Sequence, residues 1–395
     1  MIYAVSSSIQ IRGRPGSDGP KQKGGELMTP DKPQFRKAIF PGLYLQGDGA
    51  VGAVPELMQS LGGAGLVICA PSASGKVLPG IADGLPKGSR AERFGGECCE
   101  RELARLSALV AECDARVVVA VGGGKTIDTA KIVADRARLP VIVAPTIAST
   151  DAPCSACAVI YTDQGVFERV TYQRRNPDAV VVDTGVIAKA PVRFLISGMG
   201  DALATWFEAR SCERTSSVNE CRGLSTISAL ALARLCYDTL LGYGVAAKQA
   251  NEAGIITPAF ERIVEANTLL SGLGFESSGL ASAHSIHNGL TALAPTHAYY
   301  HGEKVAIGSL AGLHLADADP KEMDTVYGFC ESVALPTTLA EIGLAGVTQE
   351  DLMTAARRAC APGECIHHEA GDVSPHRVVA ALIAADRMGC ARKKK

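Results

Sequence analysis

The chain has 395 residues, room for two domains at about 100–200 residues each. Apolar residues make up 47% and charged residues 20%, so the chain can fill large cores and is not a disordered polymer. A net charge of −2 and only 5% aromatics exclude a global attraction to nucleic acid or an acidic membrane, and a base-stacking platform.

Residues 1–35 are rich in Gly, Pro, Ser and Lys and lack the apolar run of a signal peptide. They read as a disordered leader, within which Met28 offers a second start. No stretch reaches the roughly 18 apolar residues of a membrane span, and the expected location is the cytoplasm. The 13 cysteines are odd in number and scattered, several inside apolar strings such as those around Cys69 and Cys236. Free thiols in a reducing compartment follow. Cys154-x-x-Cys157 has no second pair to complete a zinc or redox site.

From about residue 65 strand and helix patterns alternate. GLVICA (65–70), RVVVAV (116–121), PVIVAP (140–145), ACAVIYT (156–162) and AVVVD (179–183) read as strands, with helices expected over 99–113 and 125–139. Continuous β-branched runs between helices imply a mostly parallel sheet covered on both faces. Beyond about residue 190 β-branched runs vanish and apolar residues recur every three or four positions. The expected organisation is an α/β domain over 36–190 and an all-helical domain over 191–395.

Three local patterns carry chemistry. Gly122-Gly123-Gly124-Lys125-Thr126 sits between a strand and a helix, where glycines admit close approach and free N–H groups favour phosphate. Val119 occupies the position where a Walker A loop needs glycine, and the usual GxGxxG is absent, so a phosphate cradle of another kind and a plain strand–helix turn both remain. Four histidines fall close together, His284, His287, His297 and His301; His284 and His287 share a helix face. Two imidazoles from adjacent helices need a third donor to hold a catalytic divalent ion, and Asp201 in SGMGDALATWFEAR is the best candidate. The glycines before it place it at an expected helix start, so an N-cap is an equal reading. Finally, PTIASTDAPCSACAVIYT crowds small and hydroxylated residues after a buried strand, where open α/β sheets bind ligands. Asp151, its one charge before the tyrosine, suits an Asx turn or contact with substrate hydroxyls.

Together FGGEC (94–98), GGGKTIDTAK (122–131), APTIASTDAPCSA (144–156), VIYTD (159–163), GMGDALATWFEAR (198–210), GFESSGLASAHSIHNGLTA (274–292) and HAYYHGEKVA (297–306) resemble the glycerol dehydrogenase branch of the iron-containing (group III) alcohol dehydrogenase family, in order, from about Arg36 to about Met388. The resemblance implies a Rossmann-like α/β domain with a parallel sheet plus an all-α C-terminal domain, an architecture shared with dehydroquinate synthase. It implies NAD-linked oxidation of glycerol or a related diol in the cleft, in a homo-oligomer. Asp201, His284 and His301 match metal ligands, with zinc usual and iron possible. Asp151 matches a residue contacting glycerol, and His287 a candidate proton relay. Gly124 to Asp128 (Gly124, Lys125, Thr126, Ile127, Asp128) match the pyrophosphate turn, and Gly122 and Gly123 before them are cofactor-binding candidates of the same glycine cradle. Thr146, Ile147, Ala148 and Ser149, with Ser155, Cys157 and Tyr161, match the nicotinamide half. An acid that commonly holds the adenosine ribose is missing from Cys69-Ala70-Pro71-Ser72, which implies tolerance of NADP. A dehydroquinate synthase-like lyase or a glycerol-1-phosphate dehydrogenase would gather basic residues around the metal, but only Lys304 and Arg210 stand near these segments.

Overall fold

A computed structural model describes residues 35–394; all of the expected leader but its last residue lies outside that range. The strands are β1 (Tyr44–Gly47), β2 (Gly65–Cys69), β3 (Arg90–Arg93), β4 (Val117–Gly122), β5 (Val141–Pro145), β6 (Cys157–Tyr161), β7 (Phe167–Tyr172) and β8 (Ala179–Asp183). Six of them form one parallel sheet in the order β1-β8-β5-β4-β2-β3. Helix α1 (Val54–Ser60) follows β1, α2 (Glu100–Glu112) leads to β4, and α3 (Gly124–Ala137) leads to β5.

Every residue of β2, β4, β5 and β8 is buried, as the unbroken apolar runs require. Alternation along these strands divides them between two cores. Val67, Val119, Val121 and Ile142 face the layer of α1. Leu66, Ile68, Val118 and Val143 face the other side, in a core that continues into the helical half through Leu203, Phe260 and Tyr327.

Segment 156–162 departs from the expected parallel sheet. It pairs antiparallel with β7 in a separate two-stranded hairpin. Only a short 3₁₀ turn, Ala152–Cys154, lies between β5 and β6, too little chain for a parallel crossover. The sequence reading also passed over the short strands β1 and β3 and the exposed strand β7.

From Thr184 onward the described elements are helical. They include α4 (Val192–Thr215), α5 (Ile227–Glu252), α6 (Pro258–Glu265), α7 (Ser271–Ser278), α8 (Ser282–Leu290), α9 (His301–Leu315), α10 (Pro320–Val333), α11 (Gln349–Ala359) and α12 (Pro375–Arg392). One π-helical turn, Ala266–Leu270, joins α6 to α7. Among the described residues no helix is long and apolar enough to cross a membrane.

Asp201 does not cap a helix start. It lies inside α4, whose N-cap position is Pro191. Gly198 and Gly200 serve close packing instead. A Cβ at Gly198 would run into the Ala148 carbonyl oxygen, one at Gly200 into that of Gly302, and one at Gly302 into that of Ser197. Helices α4 and α9 therefore meet backbone to backbone, which puts Asp201 beside the first residue of α9, His301.

Candidate metal and dinucleotide site

Asp201, His284 and His301 converge. One ligand atom from each lies within 4.8 Å of the others, the one such group of three among the described residues. His284 Nε2 stands 3.3 Å and His301 Nε2 3.0 Å from Asp201 Oδ1. That oxygen is buried and makes no hydrogen bond of acceptable geometry, while Oδ2 accepts from the Asp151 backbone N–H at 3.2 Å. A buried carboxylate oxygen left without a hydrogen bond, facing two imidazole nitrogens, fits a divalent cation.

The outer nitrogens of both rings are already committed. Glu208, seven residues along α4 from Asp201, accepts from His284 Nδ1 at 2.6 Å. Its other oxygen accepts from the backbone N–H groups of Ala281 (2.9 Å) and His284 (3.0 Å), and so anchors the start of α8. His301 Nδ1 pairs with His287 Nε2 at 3.0 Å, and His287 Nδ1 with Asn288 Oδ1 at 3.1 Å. A donor at Nδ1 leaves the Nε2 lone pair free to bind metal. Burial resists charge on His284, but Glu208 and Asp201 outweigh it and raise the ring's basicity well above the ordinary value. Burial also resists charge on Asp201, and His301 and His284 together hold its carboxyl well below the usual range. The pocket favours positive charge at its centre. Burial, reinforced by His301, keeps His287 neutral.

Asp151 closes the same pocket from the loop after β5. Its carboxylate accepts from Ser271 Oγ at 2.7 Å, and Ser271 pairs with Thr205 at 2.8 Å. Burial first, and the Asp201 charge second, push its carboxyl well above the ordinary value. The Asp151 side chain thus reaches a helix of the other half.

The glycine turn occupies the topological switch point of the sheet. The chain leaves β2 for β3 on one side and returns to β4 on the other, and ligands of open α/β sheets bind in the crevice between such strand ends. Gly122 ends β4 against Ala70, which follows β2: a Cβ on Gly122 would come within 2.8 Å of the Ala70 Cβ. Gly123 is the N-cap of α3 and offers no side chain to its first N–H groups, so they are free for an anion. Lys125 Nζ pairs with Glu97 at 2.6 Å and stands 5.0 Å from the Tyr161 ring centroid. Thr126, Ile127 and Asp128 are buried. Asp128 Oδ2 accepts from the Val159 N–H at 3.0 Å, and Oδ1 has no hydrogen-bond partner.

In the facing loop the Thr146 N–H donates to the Gly122 carbonyl at 3.0 Å, and the Ile147 side chain lies over Gly123. The Ala148 carbonyl accepts from Asn267 at 3.0 Å and the Ser149 carbonyl from Ser197 at 3.3 Å. Asn267 sits in the π turn, where an extra residue redirects a side chain toward the loop. Ser155 is buried, and Cys157 and Tyr161 are partly exposed on β6. The described cysteines are all free. His297 stays apart from the cluster, exposed and bonded to the Thr291 carbonyl at 2.9 Å. Arg210 is paired with Glu322 at 2.8 and 3.0 Å, and Lys304 is buried, so among the described residues neither stands ready for a phosphorylated substrate. The sequence reading passed over Glu208, Ser271 and Asn267.

The family model for iron-containing alcohol dehydrogenase matches residues 41–184. Over 357 residues the chain is 56% identical to the glycerol dehydrogenase of Thermotoga maritima, covering 90% of this chain and 98% of that protein. The chain belongs to this family. The glycerol dehydrogenase of Citrobacter freundii is 50% identical, with 88% and 96% covered. A crystal structure of a probable glycerol dehydrogenase from Sinorhizobium meliloti superposes with a TM-score of 0.87 at 45% identity, covering 90% of this chain and 99% of that one. This family membership accounts for the parallel six-stranded sheet with a helical remainder.

Proposed function

We propose that the chain oxidises glycerol, or a closely related vicinal diol, to dihydroxyacetone or the corresponding ketone, with the hydride passing to NAD. The observation that carries this reading is the Asp201–His284–His301 group, with Asp151 joined to Asp201 through its N–H, on a family member whose relatives are named glycerol dehydrogenases. Two nitrogens and one oxygen leave further coordination positions open, the pattern of a catalytic rather than a structural site. Zinc suits this donor set, and iron does as well. A cation held there would supply Lewis acidity that lowers a hydroxyl pKa toward neutrality, and NAD would supply the hydride acceptor.

The chain's own residues do the rest. Asp201, His284 and His301 hold the ion; Glu208 and His287 fix the two rings. Asp151, steadied by Ser271, orients the diol through its hydroxyls. His287 stands behind His301 as the candidate proton acceptor. The N–H groups from Gly123 to Thr126 receive the pyrophosphate, and Lys125, Ile127 and Asp128 complete that turn. Residues Thr146–Ser149 with Ser155, Cys157 and Tyr161 line the nicotinamide half. The ribose position follows Cys69 without an acid, so nothing there repels a 2′-phosphate and NADP is tolerated.

We read 36–190 and 191–395 as the dinucleotide and metal domains. Free cysteines support a reducing, cytoplasmic setting. We also read the chain as working in a homo-oligomer. The test is to supply metal-stripped protein with zinc, NAD and glycerol and to follow the NADH absorbance band. Metal-dependent NADH formation is expected; its absence with folded protein loaded with zinc and, separately, with ferrous iron refutes the reading.

A further inference from the structure

The segment between β5 and β6 has no strand ladder, yet its polar groups are met one by one by side chains from elsewhere. Lys131 Nζ, on α3, donates to the carbonyls of Ala152 (3.0 Å), Ser155 (3.2 Å) and Cys157. Asn176 Nδ2 donates to the Cys154 carbonyl at 2.8 Å and to Glu276 Oε2 at 2.5 Å. Glu276, on α7, accepts the Ala156 N–H on its other oxygen at 2.6 Å. Lys131 is 2% and Glu276 1% exposed, so neither is a surface charge that happens to touch the loop.

Burying an ammonium is costly unless dipoles and opposite charges surround it. Here three carbonyls surround it, with Asp128 Oδ1 at 3.5 Å one turn earlier on the same helix. An apolar side chain of similar length would fill the space at lower cost but could not gather three carbonyl oxygens about one point. The ends of the segment are equally tied. Asp151 donates its N–H to Asp201 and accepts from Ser271 Oγ on its carboxylate, while Cys157 opens β6. Lys131 lies two turns along α3 from the glycine turn at its head.

We propose that Lys131 and Glu276 are positioning residues that clamp segment 152–157 from opposite sides, and so set Asp151 at a fixed place between the glycine turn and the metal ligands. This rests on the reading of Asp151 as the diol-orienting carboxylate. Removing the ammonium leaves the Ser155 and Cys157 carbonyls without this donor and the Ala152 carbonyl with only the Ser155 hydroxyl at 3.4 Å, and the segment then relaxes away from α3.

The experiment compares zinc-loaded wild type with Lys131→Met in hydrogen exchange and steady-state kinetics. In the folded variant, exchange of backbone amides within 150–158 quickens by about tenfold or more, while amides of α4 keep their protection. The KM for glycerol rises by about tenfold, with NADH affinity by fluorescence and zinc content within about twofold of wild type. Unchanged exchange and KM in a folded variant overturn the proposal. So does an equal loss of cofactor, metal and diol binding, which marks a general structural role. If Lys131→Met does not fold, Glu276→Gln carries the test from the other side: faster exchange over 152–157 supports the clamp, and wild-type exchange overturns it. The exchange arm needs no substrate, so it stands apart from a failure of wild-type protein to oxidise glycerol, which refutes the functional reading instead.

Discussion

Glu208→Gln isolates the tautomer control of the metal pocket without changing its volume. In the native site one carboxylate oxygen accepts two backbone N–H groups, from Ala281 and His284, and the other accepts His284 Nδ1–H at 2.6 Å. A glutamine satisfies one of these sets at a time. If its carbonyl keeps the two backbone donors, its amide N–H faces Nδ1 and forces that nitrogen to accept. The ring proton then moves to Nε2, the atom that stands 3.3 Å from Asp201 Oδ1, and the ligand lone pair is lost. If the amide turns over, two backbone donors at the start of α8 confront an NH2 group. Either arrangement strands a buried polar group at about 1–3 kcal/mol. Loss of an outer carboxylate partner of a ligating histidine costs about 10–100-fold in metal affinity, and the two magnitudes agree. The assay is competition for zinc between stripped protein and a chromophoric chelator, with thermal unfolding as a check on the fold. Zinc affinity within about twofold of wild type in a folded Gln variant would falsify this account of the site.

His284→Ala removes a ligand outright, and activity is lost together with bound zinc; activity persisting at wild-type zinc content refutes the ligand assignment. For cofactor choice, kcat/KM with NADP lies within about a hundredfold of that with NAD, since no carboxylate follows Cys69, whereas a preference for NAD of about a thousandfold or more contradicts the reading. Gly302→Ala drives a methyl group into the Ser197 carbonyl and forces α4 from α9; about 1–3 kcal/mol of stability and part of the zinc affinity are lost, and an unchanged melting temperature counts against it. Burial pushes the Glu276 carboxyl from 4.5 up to about 7 against the hydrogen bonds from Ala156 and Asn176 and the charge of Lys131, with Glu220 adding repulsion. Because the folded value is the raised one, its contribution to stability is full below about pH 4.5 and is lost as pH rises through about 7. The unfolding free energy of wild type therefore falls by about 3 kcal/mol relative to Glu276→Gln across that window, and parallel curves from denaturant titrations refute the assignment.

The three candidate ligands, Asp201, His284 and His301, stood out in the sequence because their side-chain types are rare in apolar helices, and the fold brings them together. Their supports did not. Glu208 lies seven residues after Asp201, which places both on one face of a continuous helix. That signal was present in GMGDALATWFEAR, but reading Gly198 and Gly200 as the lead-in to a helix start hid it. Those glycines answer to carbonyl oxygens of Ala148 and Gly302, contacts made across long stretches of chain that no local pattern reports. The same limit applies to the hairpin. VIYTDQGVFERVTY holds two alternating runs about a turn ending at Gly165, whose φ of 78° suits glycine, yet the buried strand just before it favoured another parallel member. Lys131 shows the limit most sharply. On an amphipathic helix a lysine reads as solvent-facing, and only the fold reveals that a loop folded back over α3 presents three carbonyls to it. Ligand chemistry is written in residue types, whereas the positioning of those ligands depends on pairs such as Glu208–His284 and Lys131–Ser155, whose members are separated by tens of residues and meet only after the chain has packed.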